Sequence, residues 1–261
     1  MTVRFSTPED VPQLKQLWSI VFEDKDSYLD RFFGLLPELG VCFLAEQDSA
    51  VISAAYLLKG ISLPDGRSAC YLYAVATLPE ARGRGASSSV MRVVRSYADS
   101  EGLVLLTLPA EDWLYDYYGK TLGAVHCSHF VQDLFLPLPD SRIRCVSDEE
   151  YRIAREASLC GIPHCGMTPV WYSLLEGLCN CYDGGLFLFG DSGCAGYPNE
   201  DGVFCVSDCF GPGGSLACRA AAAQRECSSG QRKIPSPEGD LYMISDDFTD
   251  FDEIMWIFTF E

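Results

Sequence analysis

The sequence is poor in basic residues and in histidine. Against 37 acidic residues stand 19 Lys and Arg and three His, for a formal net charge of −18. Split at residue 140, both halves are acidic, so neither reads as a nucleic-acid module or an anionic-membrane binder. No apolar run reaches the roughly 18 residues that a membrane helix needs. The opening MTVRFSTPEDVPQLKQLW has acids and a proline where a secretory leader would need an apolar core. The expectation is a soluble, cytoplasmic chain with no nucleic-acid or membrane partner. No two of the 13 cysteines have C-x-x-C spacing, and without a leader they read as reduced thiols filling a core. His164, between Cys160 and Cys165, hints at a metal, but the core reading is favoured and no metal is expected. The acidic run DDFTDFDE (246–253) lacks the glycine and the spacing of an EF-hand loop, so it reads as a solvated turn.

What is present suits a globular protein. Hydrophobic residues make up 48% of 261, enough for one large core or two modest ones. A short strand (3–5) precedes a helix start at Thr7-Pro8-Glu9-Asp10, with Thr7 as cap and Pro8 at the first helical position. A second helix is expected from Asp26 to Leu36, with Pro37 helping to end it. Strands at 41–47, 51–63 and 67–77 are joined by hairpin-like turns. A helix over Ala86–Ser100, stopped by Gly102, leads to an apolar strand at 103–108. A short helix (113–123) and a strand from Val125 to Leu136 run into Pro137-Leu138-Pro139-Asp140, read as a boundary. The second half repeats this order: helices, three strands (186–190, 194–198, 203–210), a Gly-rich turn and a helix. Late strands follow at 241–245 and 254–260. A diverged internal duplication is the expectation, with domains at 1–139 and 140–261.

The stretch YAVATLPEARGRGASSSVM carries the chemistry. A strand ends at Pro79, and Arg82-Gly83-Arg84-Gly85 then feeds a helix. Free amides at a helix start, the positive end of its macrodipole and the backbone freedom of glycine together make an anion site. Arg82 and Arg84 add charge-assisted donors. The site suits a phosphate or diphosphate. A Walker A loop needs a lysine that is absent here, and the dinucleotide fingerprint needs a third glycine where Ser88 stands.

These residues resemble motif A of the GNAT superfamily of acyl-CoA N-acyltransferases, R/Q-x-x-G-x-G/A. Pro79, Arg82 and Gly85 match it, and Ser87 stands where Gly or Ala is usual. YDYYGKTLGA (115–124) is similar to that family's F-Y-x-K-x-G-F run, with one extra residue before Gly123 and Ala124 in place of the usual aromatic. The closest likeness is to the enhanced-intracellular-survival type, without its sterol-carrier-like domain. The implied fold is α/β (α+β): a mixed, mostly antiparallel sheet flanked by helices, followed by a second, degenerate GNAT-like domain.

The resemblance implies roles for named residues. Val75, Ala76 and Thr77 would pair with the pantetheine arm of acetyl-CoA, the co-substrate. The diphosphate would lie on the backbone of Gly83, Arg84, Gly85, Ala86, Ser87 and Ser88, beside Arg82. Tyr118 would donate to the departing sulfur, mainly as a hydrogen-bond donor. Glu111 and Asp112 are candidates for the base by position alone, against the reading as solvated loop acids, and the resemblance to the enhanced-intracellular-survival type offers the terminal carboxylate of Glu261 as another. The implied activity is acetyl transfer to a primary amine of a small, cationic acceptor by direct attack. The alternative is a non-catalytic acyl-CoA-binding or regulatory module. The second half, with Trp171, Trp256 and its phenylalanines, also offers a surface for a homo-oligomer.

Overall fold

The alternating residues between 40 and 77 fold as an antiparallel meander of β2 (Gly40–Gln47), β3 (Ala50–Ser62) and β4 (Ser68–Thr77). β1 (Thr2–Phe5) pairs antiparallel with β2. The two-residue period sends successive side chains to opposite faces. In β3, Tyr56 packs on Trp18 with ring centroids 5.1 Å apart, while Ala55 and Leu57 join a separate cluster on the other face. α1 (Val11–Phe22) and α2 (Asp26–Leu39) cover the first face through Trp18, Tyr28 and Phe32. α3 (Ala86–Ser100) and α4 (Asp112–Leu122) cover the second through Val90, Met91, Val94, Tyr118 and Leu122. Each large apolar side chain so buried contributes about 1.5–3 kcal/mol.

The computed structural model describes residues 1–235 and 240–244. The acidic run 246–253, the strand expected at 254–260 and the carboxylate of Glu261 lie outside the described residues. By contacts the chain divides into two units. Unit 1 takes Met1–Ser128 with the segment from Leu241, and unit 2 takes His129–Asp240.

In unit 1, β5 (Val104–Thr107) runs parallel to β4. Beside β5, antiparallel to it, lies β13 (Asp240–Ile244), which comes from late in the sequence. Unit 2 has the same plan. Its first elements are β7 (Arg144–Val146), α5 (Asp148–Ser158), the two-residue β8 (Gly166–Met167) and α6 (Pro169–Cys181). β9 (Gly185–Phe189), β10 (Ser192–Pro198) and β11 (Val203–Phe210) form its meander, and α7 (Gly214–Gln224) leads to β12 (Ser229–Pro235). β12 is parallel to β11, as β5 is to β4. β6 (Val125–Phe135) takes the place beside β12. The strand order β1-β2-β3-β4-β5-β13 in one unit therefore matches β7-β9-β10-β11-β12-β6 in the other. The duplication is a repeat of whole topology, and the last strand of each sheet comes from the opposite half of the sequence.

Two local readings change. α2 runs on to Leu39 with Pro37 in its last turn; a proline there removes one N–H without ending the helix, and Gly40 caps it. Thr7 leads first into a 3-10 turn, Pro8–Asp10, and Asp10 Oδ2 accepts from its backbone N–H at 2.8 Å. The core-filling expectation holds for part of the cysteines: Cys42, Cys70, Cys165, Cys179, Cys194, Cys218 and Cys227 are buried, whereas Cys145 and Cys160 are exposed.

Candidate cofactor and active site

Three segments converge in unit 1. The first is the end of β4. Its ladder with β5 covers Ala69, Cys70 and Tyr71, and among the described residues it goes no further, so the two strands part towards Thr77. Against β3 the register shifts between Ala54 and Tyr56, and Ala74 takes φ of 47°. This is a β-bulge, and a left-handed alanine stores about 1–3 kcal/mol of strain. The extra residue turns Val75 towards the cluster under α3, although Tyr73 and Tyr71, two and four residues earlier, belong with the aromatics under α1 and α2. Ser53 Oγ donates to Ala76 O at 2.8 Å and sits 2.8 Å from Thr77 Oγ1, which fixes the strand end.

The second segment is the turn into α3. Gly83 and Gly85 have φ of 73° and 81°, and nothing lies within 4 Å of where their β-carbons would be. Glycine is needed for the backbone, and the space beside it is open. Gly85 is the N-cap, no side chain caps the helix, and its first turn carries no acid. The first bond within α3 is Ser89 N to Gly85 O at 3.0 Å, so the preceding amides are the ordinary orphan donors of a helix start. Arg82 Nε donates to Thr77 O at 3.2 Å, tying turn to strand. Arg84 is exposed.

The third segment is α4. Tyr118 is buried with Ala86, Val90 and Leu105 in one cluster, against which Val75 and Tyr117 also pack. Burial, and then the neighbouring Tyr117, push its phenol well above the ordinary tyrosine range. Tyr117 Oη lies 2.7 Å from Ser87 Oγ. At the other end of the helix, Arg95 Nη1 donates to Leu122 O at 2.8 Å, fastening α4 to α3. Gly123, left-handed at φ 66°, ends α4.

The structure therefore gathers Val75, Ala76, Thr77, Arg82, Gly83, Arg84, Gly85, Ala86, Ser87, Ser88 and Tyr118 around one strand end and one helix start. It does not do so for the acids after β5. Glu111 is exposed and accepts from Trp113 Nε1 at 2.6 Å, and Asp112 is exposed. Lys120 pairs outward with Asp116 at 3.8 Å. Sequence reasoning missed Tyr117 and Ser53; the first aromatic position of the F-Y-x-K-like run was the available signal for Tyr117. In unit 2, His164 Nε2 lies 3.2 Å from Glu156 Oε2. Among the described residues no group of three or more His, Cys, Asp or Glu could hold a metal ion. Among them, too, no helix is long and apolar enough to cross a membrane.

Residues 2–121 match the family model of an acetyltransferase (GNAT) domain. No curated protein gives a significant sequence match. Among solved structures, a GCN5-related N-acetyltransferase from Anabaena variabilis superposes with a TM-score of 0.65 at 15% identity, covering 93% of this chain and 72% of that one. Eis1 from Mycobacterium abscessus gives 0.63 at 14%, covering 93% and 73%. A tandem GNAT protein of the clavulanic acid biosynthesis pathway gives 0.58 at 11%, covering 93% and 98%. At these identities the likeness is one of fold: two GNAT-like halves in tandem.

Proposed function

We propose, from the premise that residues 2–121 are a GNAT domain, that this chain is an acetyl-CoA-dependent N-acetyltransferase acting on a primary amine of a small, cationic acceptor. Unit 1 would form the catalytic domain and unit 2 the degenerate one, so the expected division into 1–139 and 140–261 is adjusted for β6, which joins the second sheet, and β13, which joins the first. The observation that carries this reading is the convergence of an open left-handed glycine turn, a parted strand end and a buried phenol in one cluster. Main-chain amides of Gly83–Ser88 hold the diphosphate at the helix's positive end, and Arg82 and Arg84 add charge. The free edge at Val75–Thr77 pairs with the amides of the pantetheine arm.

The thioester supplies an acetyl group and a thiolate leaving group. The acceptor nitrogen bonds to the acetyl carbon, the carbon–sulfur bond breaks, and the amine's proton passes to solvent or a base. A lysine-like amine is neutral at pH 7 only at a cost of roughly 4–5 kcal/mol. Tyr118 donates a hydrogen bond as charge grows on sulfur. It keeps its proton: transfer to a thiolate of pKa near 8.5 is uphill by about 2 kcal/mol for an ordinary tyrosine, and burial makes it more so. The net charge of −18 favours a cationic acceptor.

A thiol-release assay with acetyl-CoA across a panel of polyamines, aminoglycosides and simple amines tests this. Turnover on at least one amine is expected. Binding of acetyl-CoA without turnover on any amine supports the acyl-CoA-binding module instead. Absence of binding refutes both.

A further inference from the structure

Ser87 brings a hydroxyl to a position where a GNAT motif usually has none, and that hydroxyl has a partner. Tyr117 Oη lies 2.7 Å from Ser87 Oγ and 3.5 Å from Ser88 Oγ. All three side chains are half-buried. Ser87 and Ser88 open α3, at the turn assigned above to the diphosphate. Tyr117 immediately precedes Tyr118 on α4, and their rings stand 5.6 Å apart. One hydroxyl–hydroxyl bond thus runs from the segment that anchors one end of the co-substrate to the helix that carries the donor for its other end.

We infer that Tyr117 is a positioning residue: its bond to Ser87 sets α4 against the start of α3, and so fixes where the Tyr118 hydroxyl stands relative to the anchored thioester. The inference rests on the function proposed above. Tyr118 itself is held by apolar packing within its cluster, and packing tolerates small slides better than a directional bond does. A donor displaced by a fraction of an ångström loses much of its catalytic effect. The competing explanation is that apolar contacts alone seat α4 and the hydroxyl pair merely fills polar valences.

Steady-state kinetics of the full chain, with acetyl-CoA and the best amine of the panel, separate the two. Tyr117→Phe is expected to lower kcat about tenfold while KM for acetyl-CoA stays within about twofold. Ser87→Ala should do the same, and the double variant should be no worse than either single. In a Tyr118→Phe background, Tyr117→Phe should have no further effect, because its influence passes through the lost hydroxyl. Additive loss in that background, or a raised KM at unchanged kcat, overturns the inference. Thermal midpoints identify any variant that fails to fold, and Ser87→Ala then carries the test. A wild-type chain inert towards every amine would overturn the proposed function and this inference together. An active wild type with additive variants overturns this inference alone.

Discussion

In unit 1 eight residues lead from Thr77 at the end of β4 to Ala86 at the start of α3; in unit 2 three lead from Phe210 at the end of β11 to Gly214 at the start of α7. The strands on either side correspond closely. β4 bulges opposite the Ala54–Tyr56 step and β11 opposite the Ala195–Gly196 step, and among the described residues each is parallel to the next strand over three residues. The shorter turn has no counterpart of Arg82 or Arg84. Its Gly213 N–H is already taken by Ser192 Oγ at 2.8 Å, and a β-carbon on Gly211 would come within 2.6 Å of that same oxygen. The helix start that stands open in unit 1 is plugged by a side chain in unit 2.

The opposite face differs as well. Under α1 and α2, Tyr28 and Tyr73 share a hydrogen bond of 2.9 Å. Under α5 and α6, the fully buried Arg155 donates through Nε to Asp208 Oδ2 at 3.0 Å, and Tyr151 donates to the same oxygen at 2.9 Å. A duplicated fold has kept its sheet, bulge and helices in both copies, while the open left-handed glycine turn is found in one. Scaffold and site are separable, as they are across folds in general.

The largest expected effect comes from closing the open turn. Gly85→Glu places a carboxylate among the orphan amides and a side chain at φ 81°; acetyl-CoA affinity should fall more than about 100-fold by calorimetry. The mirror change, Ser192→Ala in unit 2, should leave that affinity unchanged. Next, Asp208→Ala removes the buried carboxylate from Arg155 and leaves it only the half-exposed Glu156, 3.3 Å from its Nη1. Denaturant unfolding should show a loss of about 3 kcal/mol, with acetyl-CoA affinity of the folded protein intact. Tyr118→Phe should lower kcat about 10- to 100-fold with little change in KM for acetyl-CoA.

The pH dependence sharpens that third case. Burial raises the Tyr118 phenol above its ordinary value, so the donor form persists at all pH values below about 10. Turnover should rise with pH as the acceptor amine loses its proton, with no alkaline fall from tyrosine in that range, and Tyr118→Phe should keep the same profile at lower height. The smallest effect concerns a cross-strand pair. Where unit 1 joins Ser53 to Thr77, unit 2 has Cys194 opposite Cys209. Cys194→Ser with Cys209→Thr should change stability by no more than about 1 kcal/mol in either direction.

Much of this was legible in the sequence where local chemistry decides. The bounds of α3 follow from two left-handed glycines, Gly85 before it and Gly102 after it. The meander follows from period-two apolar runs punctuated by Asp and Gly turns. The left-handed glycine turn follows from its residues, and the role proposed for Tyr118 from its motif. What stayed hidden depends on contacts distant in sequence. Arg155 and Asp208 lie 53 positions apart, and neither residue type announces burial. The return of β13 to the first unit is set by which sheet edge it pairs with, and LYMIS would satisfy either as an apolar strand. The Ser87–Tyr117 bond spans 30 positions between two helices, and its residues taken singly read as surface and core.

The account's central claim is tested most directly by amide hydrogen exchange on the wild-type chain with and without acetyl-CoA. Slower exchange at Gly83–Ser88, with no change across Phe210–Leu216, is the predicted result. Protection at the second turn, or none at the first, would contradict it.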